Sequence, residues 1–186
     1  MSPADSLPPD PRLQFERTSC ACPSCVVACR HMPGGLIPGD AERMVRTLSA
    51  EDFDAWALEC LEASQGAAVP HEGRLIRLPT IVPRTNAQGG CVFLADARCT
   101  VHEVSPFGCA YLDMHMSPVE VTRRSAGALL AVANDWARKG PYSQLWARLF
   151  TAGNVAASLE ERQANMHQAL AAIDFRKDCL AGGSTS

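Results

Sequence analysis

The sequence predicts an α+β fold, mostly helical, with a small Cys-bearing β-hairpin packed on a helical C-terminal half. Three observations lead there. From Ser117 onward, apolar residues recur at helical spacing between capping and stop signals. Between residues 74 and 102, short extended runs alternate with Pro and Gly. Nine cysteines punctuate the chain, seven of them in two tight groups.

Taken in order, residues 1–12 hold four prolines and read as a disordered lead-in. Residues 13–116 form a cysteine-cluster metal-binding region, residues 117–180 a helical region of the same domain, and residues 181–186 a disordered tail. In the cysteine region, Pro33, Gly34 and Gly35 bar a long helix after His31. Asp40 is expected to cap a helix carrying Met44, Val45 and Leu48. Ser49 with Asp52 resembles a capping box, opening a helix with Phe53, Trp56, Ala57, Cys60 and Leu61 on one face. Residues 65–73 read as a loop and residues 74–83 as an extended run. Cys91-Val-Phe-Leu, a turn at residues 95–98 and Cys99-Thr-Val-His form a hairpin, although the turn is not Asn-Gly.

In the helical region, Ser117-Pro118-Val119-Glu120 supplies a cap, a first-position proline and an acid. The helix it opens carries Ser125, Leu129, Val132, Ala133 and Trp136 on one face, and Gly140-Pro141 stops it. Tyr142, Leu145, Trp146 and Leu149 mark a shorter helix. Ser158 with Glu161 opens the last, with Met166, Ala169, Leu170 and Ile173 as its inner face.

Composition excludes several classes. The net charge is −3, so there is no strong positive field to hold nucleic acid and no polybasic run for a membrane surface. The longest apolar run, residues 126–133, is too short to span a bilayer. The opening residues lack a signal-peptide layout, which predicts a cytoplasmic protein with reduced thiols. An odd cysteine count forbids complete pairing within the chain. In a reduced compartment, grouped thiols point to a metal.

The two groups are C-x-C-x2-C-x3-C at Cys20, Cys22, Cys25 and Cys29, and C-x7-C-x9-C at Cys91, Cys99 and Cys109. Short loops bearing Cys-x-x-Cys let two thiolates reach one ion without backbone strain, as in tetrahedral zinc and iron–sulfur sites. Soft thiolates select zinc, copper(I) or iron–sulfur over magnesium and calcium. All seven are assigned as ligands, and the two groups are expected to converge on one site holding a zinc or iron ion or an iron–sulfur cluster. The competing reading is buried structural thiols. His31, His102 and His115 lie near the cysteines in sequence and are candidate additional ligands. His71 and His167 read as surface residues, Cys60 as core, and Cys179 as a bystander. Cys22-Pro-Ser-Cys25 lacks the preceding strand a redox motif needs. Asp96, Glu103 and Asp113 read as solvated acids, and no phosphate loop, dinucleotide fingerprint or hydrolase motif is present.

With these residues in view, CACPSCVVACRHMPGG followed by CVFLADARCTVHEVSPFGC resembles the YkgJ-type cysteine-cluster proteins, which carry a zinc- or iron-chelating domain. The resemblance covers about half the chain, from Cys20 to His115. Cys22 and Cys25 match the family's opening pair and Cys29 the second cysteine of its doublet. Ala28 stands where the doublet's first cysteine is usual, and Cys20 is an extra thiol. Ser105-Pro106 replaces the usual Arg-Pro, and Ala110 follows the last cysteine in place of a common Arg. The resemblance implies a chelating site more directly than an activity, and a related cysteine motif occurs in flagellin lysine methylases. Three roles stay open: a metal-binding protein, an enzyme using the metal or cluster, and a zinc-stapled interaction module.

Overall fold

The computed structural model describes residues 10–18, 20–71 and 73–173. The expected tail, most of the lead-in and Cys179 lie outside the described residues. Those that are described form an α+β fold with a helical majority. In chain order they build α1 (Pro23–His31), α2 (Asp40–Leu48), α3 (Phe53–Cys60), β1 (Leu61–His71), β2 (Arg74–Pro83), β3 (Leu94–Ala95), β4 (Arg98–Cys99), α4 (Phe107–Ala110), α5 (Pro118–Arg138), α6 (Pro141–Thr151) and α7 (Leu159–Ala171). Two 3-10 turns, Pro11–Leu13 and His102–Val104, complete the set.

Strands β1 and β2 pair antiparallel, as do β3 and β4. The larger hairpin corrects the expected loop at 65–73, which is strand as far as His71. Residues 65–71 (QGAAVPH) show no apolar alternation, so their order comes from pairing with β2. Both strands of a two-stranded sheet are edges, which is where Pro70 is tolerated. The register shifts between Ser64 and Ala67. Gly66 sits in that bulge at φ +91°, where a Cβ would lie 1.6 Å from the Leu78 carbonyl oxygen. Only glycine fits there.

Two caps differ from expectation. Gly39, not Asp40, is the N-cap of α2, because the Asp40 carboxylate is drawn into the core. Asp52 caps α3 by accepting the Asp54 and Ala55 amides at 2.9 and 3.0 Å, while Ser49 closes α2 at φ 52°. Ser117 and Ser158 cap α5 and α7 as expected, accepting the Glu120 and Glu161 amides at 3.2 and 3.0 Å. Residues 10–12, placed with the lead-in, form an ordered turn whose Arg12 reaches Asp40. The turn of the small hairpin puts Asp96 and Ala97 at φ 49° and 60°. Both values are left-handed, as a two-residue hairpin turn demands, without the usual Asn-Gly.

One apolar core runs through both halves of the chain, taking in Leu36, Met44, Leu61, Ile81, Phe107, Val132 and Leu149. The helical half packs against β1 and β2 through buried polar anchors. The Tyr142 hydroxyl donates to the Leu36 carbonyl at 2.9 Å and accepts the Ile81 amide at 2.7 Å. Trp136 and Trp146 donate to the carbonyls of Pro79 and Ser64 at 3.1 and 2.9 Å. The last helix lies against α1. Its expected inner face is only half buried, and Arg162 is its buried residue.

Candidate metal centre

The cysteine segments are held by a buried carboxylate and a glycine contact. Asp40 is fully buried. It accepts Arg12 at 2.9 Å, Arg43 at 2.8 Å, and the amides of Ile37 and Phe107 at 3.0 and 2.8 Å. One side chain therefore ties the N-terminal turn, the start of α2 and the start of α4. Next to it, Gly34 and Gly108 meet backbone to backbone. The Gly108 amide donates to the Gly35 carbonyl at 2.9 Å, and the Gly34 amide donates to Cys109 Sγ at 3.1 Å. No side chain fits between these segments.

Cys20, Cys22, Cys25 and His115 form the tightest donor group. One ligand atom from each lies within 4.8 Å of all the others. Cys22 is the N-cap of α1, Pro23 opens the helix, and Cys25 follows in its first turn. The helix start thus aims two sulfurs at one point, and Cys20 adds a third from the preceding extended segment. His115 arrives from the other end of the cysteine region, with Nε2 3.1 Å from Cys22 Sγ. Its loop is fixed by Asp113, whose Oδ1 accepts the His115 and Met116 amides at 2.8 and 3.1 Å. Thr18 donates to the other Asp113 oxygen at 2.7 Å, linking this loop to the N-terminal segment before Cys20. Asp113 is therefore a positioning residue. Its sequence signal was an acid two residues before a histidine, ahead of a capped helix.

The electrostatics of the group are uneven. Burial works against ionisation of Cys22, but the Cys25 amide, His115 and the neighbouring thiols outweigh it and bring its thiol down to about 6. Burial and the adjacent sulfurs push Cys25 up to about 12, against the Met114 amide. His115 is raised by its hydrogen bond to Cys22. A thiolate facing an imidazolium is the proton arrangement that a soft cation replaces when it binds.

The other four thiols assigned as ligands lie outside this group. Cys29 lies one turn beyond Cys25 on α1, so the expected convergence divides within the first sequence group. Burial pushes Cys29, Cys91, Cys99 and Cys109 upward, to about 12 at Cys91. His31 is partly buried, with its imidazole lowered by burial and by Arg30. His102 is exposed on the 3-10 turn after β4. Cys60 packs against the core behind Trp56 and Ala57, and burial lifts it to about 11. Scans against protein-family profiles, curated proteins and solved structures find no match to the chain. Among the described residues, no helix is long and apolar enough to cross a membrane.

Proposed function

We propose that the chain is a metal-binding protein that holds a zinc or iron ion through Cys20, Cys22, Cys25 and His115. The observation that carries this reading is that four donor atoms from two distant stretches of backbone lie within 4.8 Å of one another. Three thiolates and an imidazole are a common zinc set, and iron accepts the same donors. Four protein donors fill a tetrahedral ion. That supports a closed centre for structure or metal handling over a catalytic one, which keeps a position open. The resemblance to the YkgJ-type chelating domain points the same way, with Cys22 and Cys25 as its opening pair and Cys20 as an extra thiol.

The test is anaerobic purification followed by metal analysis and an absorption spectrum. Wild type should carry metal, and Cys22→Ser and His115→Ala should each lose about one equivalent with the helical signal kept. Unchanged metal content in both variants would overturn the assignment. A colourless zinc-loaded protein and a coloured iron-loaded one decide between the two ions.

A further inference from the structure

We propose that Cys20 is a site of reversible S-thiolation, and that the cavity beside it selects thiols built on an amino acid, which carry both a carboxylate and an ammonium. The inference concerns the metal-free chain and needs no bound ion.

The cavity measures about 370 Å³ and has Cys20 in its wall. That is a size in which small molecules bind. Among the described residues, Cys20 is the only exposed thiol, while Cys22 is half-buried and Cys25 buried. A disulfide arriving from solvent therefore meets the Cys20 sulfur first.

Charges are set around this sulfur in a definite pattern. Arg124 lines the cavity with only 15% of its side chain exposed. Its Nε donates to Glu120 at 2.6 Å, and its Nη1 donates to the carbonyls of Glu16 and Tyr111 at 2.9 and 3.1 Å. Arg17 is held through Nη2, which donates to Ser105 Oγ at 3.1 Å and to the His102 carbonyl. Its guanidinium also lies 5.8 Å from the centroid of the Tyr111 ring. Part of each guanidinium is thus tied down. Among the described residues, Nη2 of Arg124 and Nε and Nη1 of Arg17 have no acceptor. Fixed guanidiniums with spare donors match a carboxylate.

Two acids share the cavity wall. Both oxygens of Asp113 are taken, by Thr18 and by the His115 and Met116 amides. Glu16 is exposed, and among the described residues its carboxylate meets no cation. It is left for an ammonium. A carboxylate for the arginines, an ammonium for Glu16 and a sulfur for Cys20 occur together in cysteine-derived thiols.

The co-reactant is the symmetrical disulfide of such a thiol. The Cys20 thiolate attacks one of its sulfurs, the original S–S bond breaks and a new one forms to Cys20. The departing thiolate takes up the proton that Cys20 gave to solvent. One disulfide is consumed and one is formed, so no further oxidant enters. The modified sulfur has no thiolate left for a metal, so the adduct and the proposed ion compete for it.

The experiment uses the full chain, purified anaerobically and stripped of metal with a chelator. Glutathione disulfide is the probe and uncharged hydroxyethyl disulfide the reference. Acid quenching and peptide mapping by mass spectrometry read the initial rate of adduct formation at each cysteine. In wild type, the probe-to-reference rate ratio at Cys20 should be about ten times that at Cys60, a half-buried thiol outside the cavity. Arg17→Gln should bring the Cys20 ratio down to that of Cys60, and high salt should do the same. Glu16→Gln should lower the ratio for glutathione disulfide and raise it for dithiodipropionate, which has carboxylates but no ammonium. Where Arg17→Gln does not fold, Glu16→Gln, at an exposed position, carries the test. Equal ratios at Cys20 and Cys60 in wild type, or a preference at Cys20 that folded Arg17→Gln and Glu16→Gln leave intact, overturns the proposal.

Discussion

Replacing Gly34 with Ala tests how the chain brings Cys109 to its position. A Cβ built on Gly34 lies 2.0 Å from the Gly108 carbonyl carbon and 2.3 Å from the Cys109 nitrogen. Both neighbours are backbone, so no flexible side chain can yield. Ordinary contact begins near 3.4 Å, so the segments must part by about 1.4 Å. That movement breaks the Gly34–Cys109 and Gly108–Gly35 hydrogen bonds, each worth about 1 kcal/mol. Overpacking against rigid backbone adds about 2 kcal/mol. The expected loss is about 4 kcal/mol, or roughly 10 °C in melting temperature for a chain of this size. Gly35→Ala is the matched control. Its Cβ would meet only the Ile81 carbonyl, at 3.7 Å, so its stability should be unchanged or raised by about 0.5 kcal/mol. Chemical and thermal denaturation of both variants reads the difference. Gly34→Ala within about 0.5 kcal/mol of wild type, the range of an ordinary surface change, would refute the backbone contact as the device that places Cys109.

Asp40→Asn should cost about 3 kcal/mol in urea denaturation, because it leaves the Arg12 and Arg43 charges facing a neutral amide in the core. Cys60→Ala should cost about 1 kcal/mol and leave metal content unchanged, since that thiol only fills space behind α3. In the metal-free protein, alkylation of Cys22 should reach half its maximal rate near pH 6 and fall as pH drops below it, while Cys25, pushed up to about 12, stays slow at neutral pH; equal rates for the two at pH 7 would contradict the asymmetry of the pair. Hydrogen exchange after chelation should show residues 20–31 and 84–116 losing protection together with α7, which lies on α1, while β1, β2, α5 and α6 keep theirs.

Much of the architecture was legible in local chemistry. Ser117 and Ser158 cap as their sequences suggest, and the apolar stripes of α3 and α6 are buried as their spacing requires. What the sequence hid was decided by distant partners. Strand β1 is Ala-rich with one bulge glycine and acquires its conformation from β2. Asp40 looks like a helix cap locally, yet the fold spends its carboxylate on two arginines and two amides from other segments. The thiols stood out as candidate ligands by type and spacing, but their grouping did not show. Cys25 and Cys29 are neighbours in a motif and part company because one turn of α1 carries Cys29 about 6 Å further along the helix axis. His115 is ninety residues from its sulfur partners, and nothing in the spacing singled it out from His31 or His102.

Helix α1 has nine residues, too few to hold its shape alone in water. Yet it carries Cys22 and Cys25 at one end and Cys29 at the other. Whatever fixes either end also fixes the rod between them. On the reading that Cys22 and Cys25 hold an ion, its capture at the first turn would also freeze the backbone that presents Cys29. Order at one end of α1 is thus passed to the other as shared stiffness, through two turns of peptide.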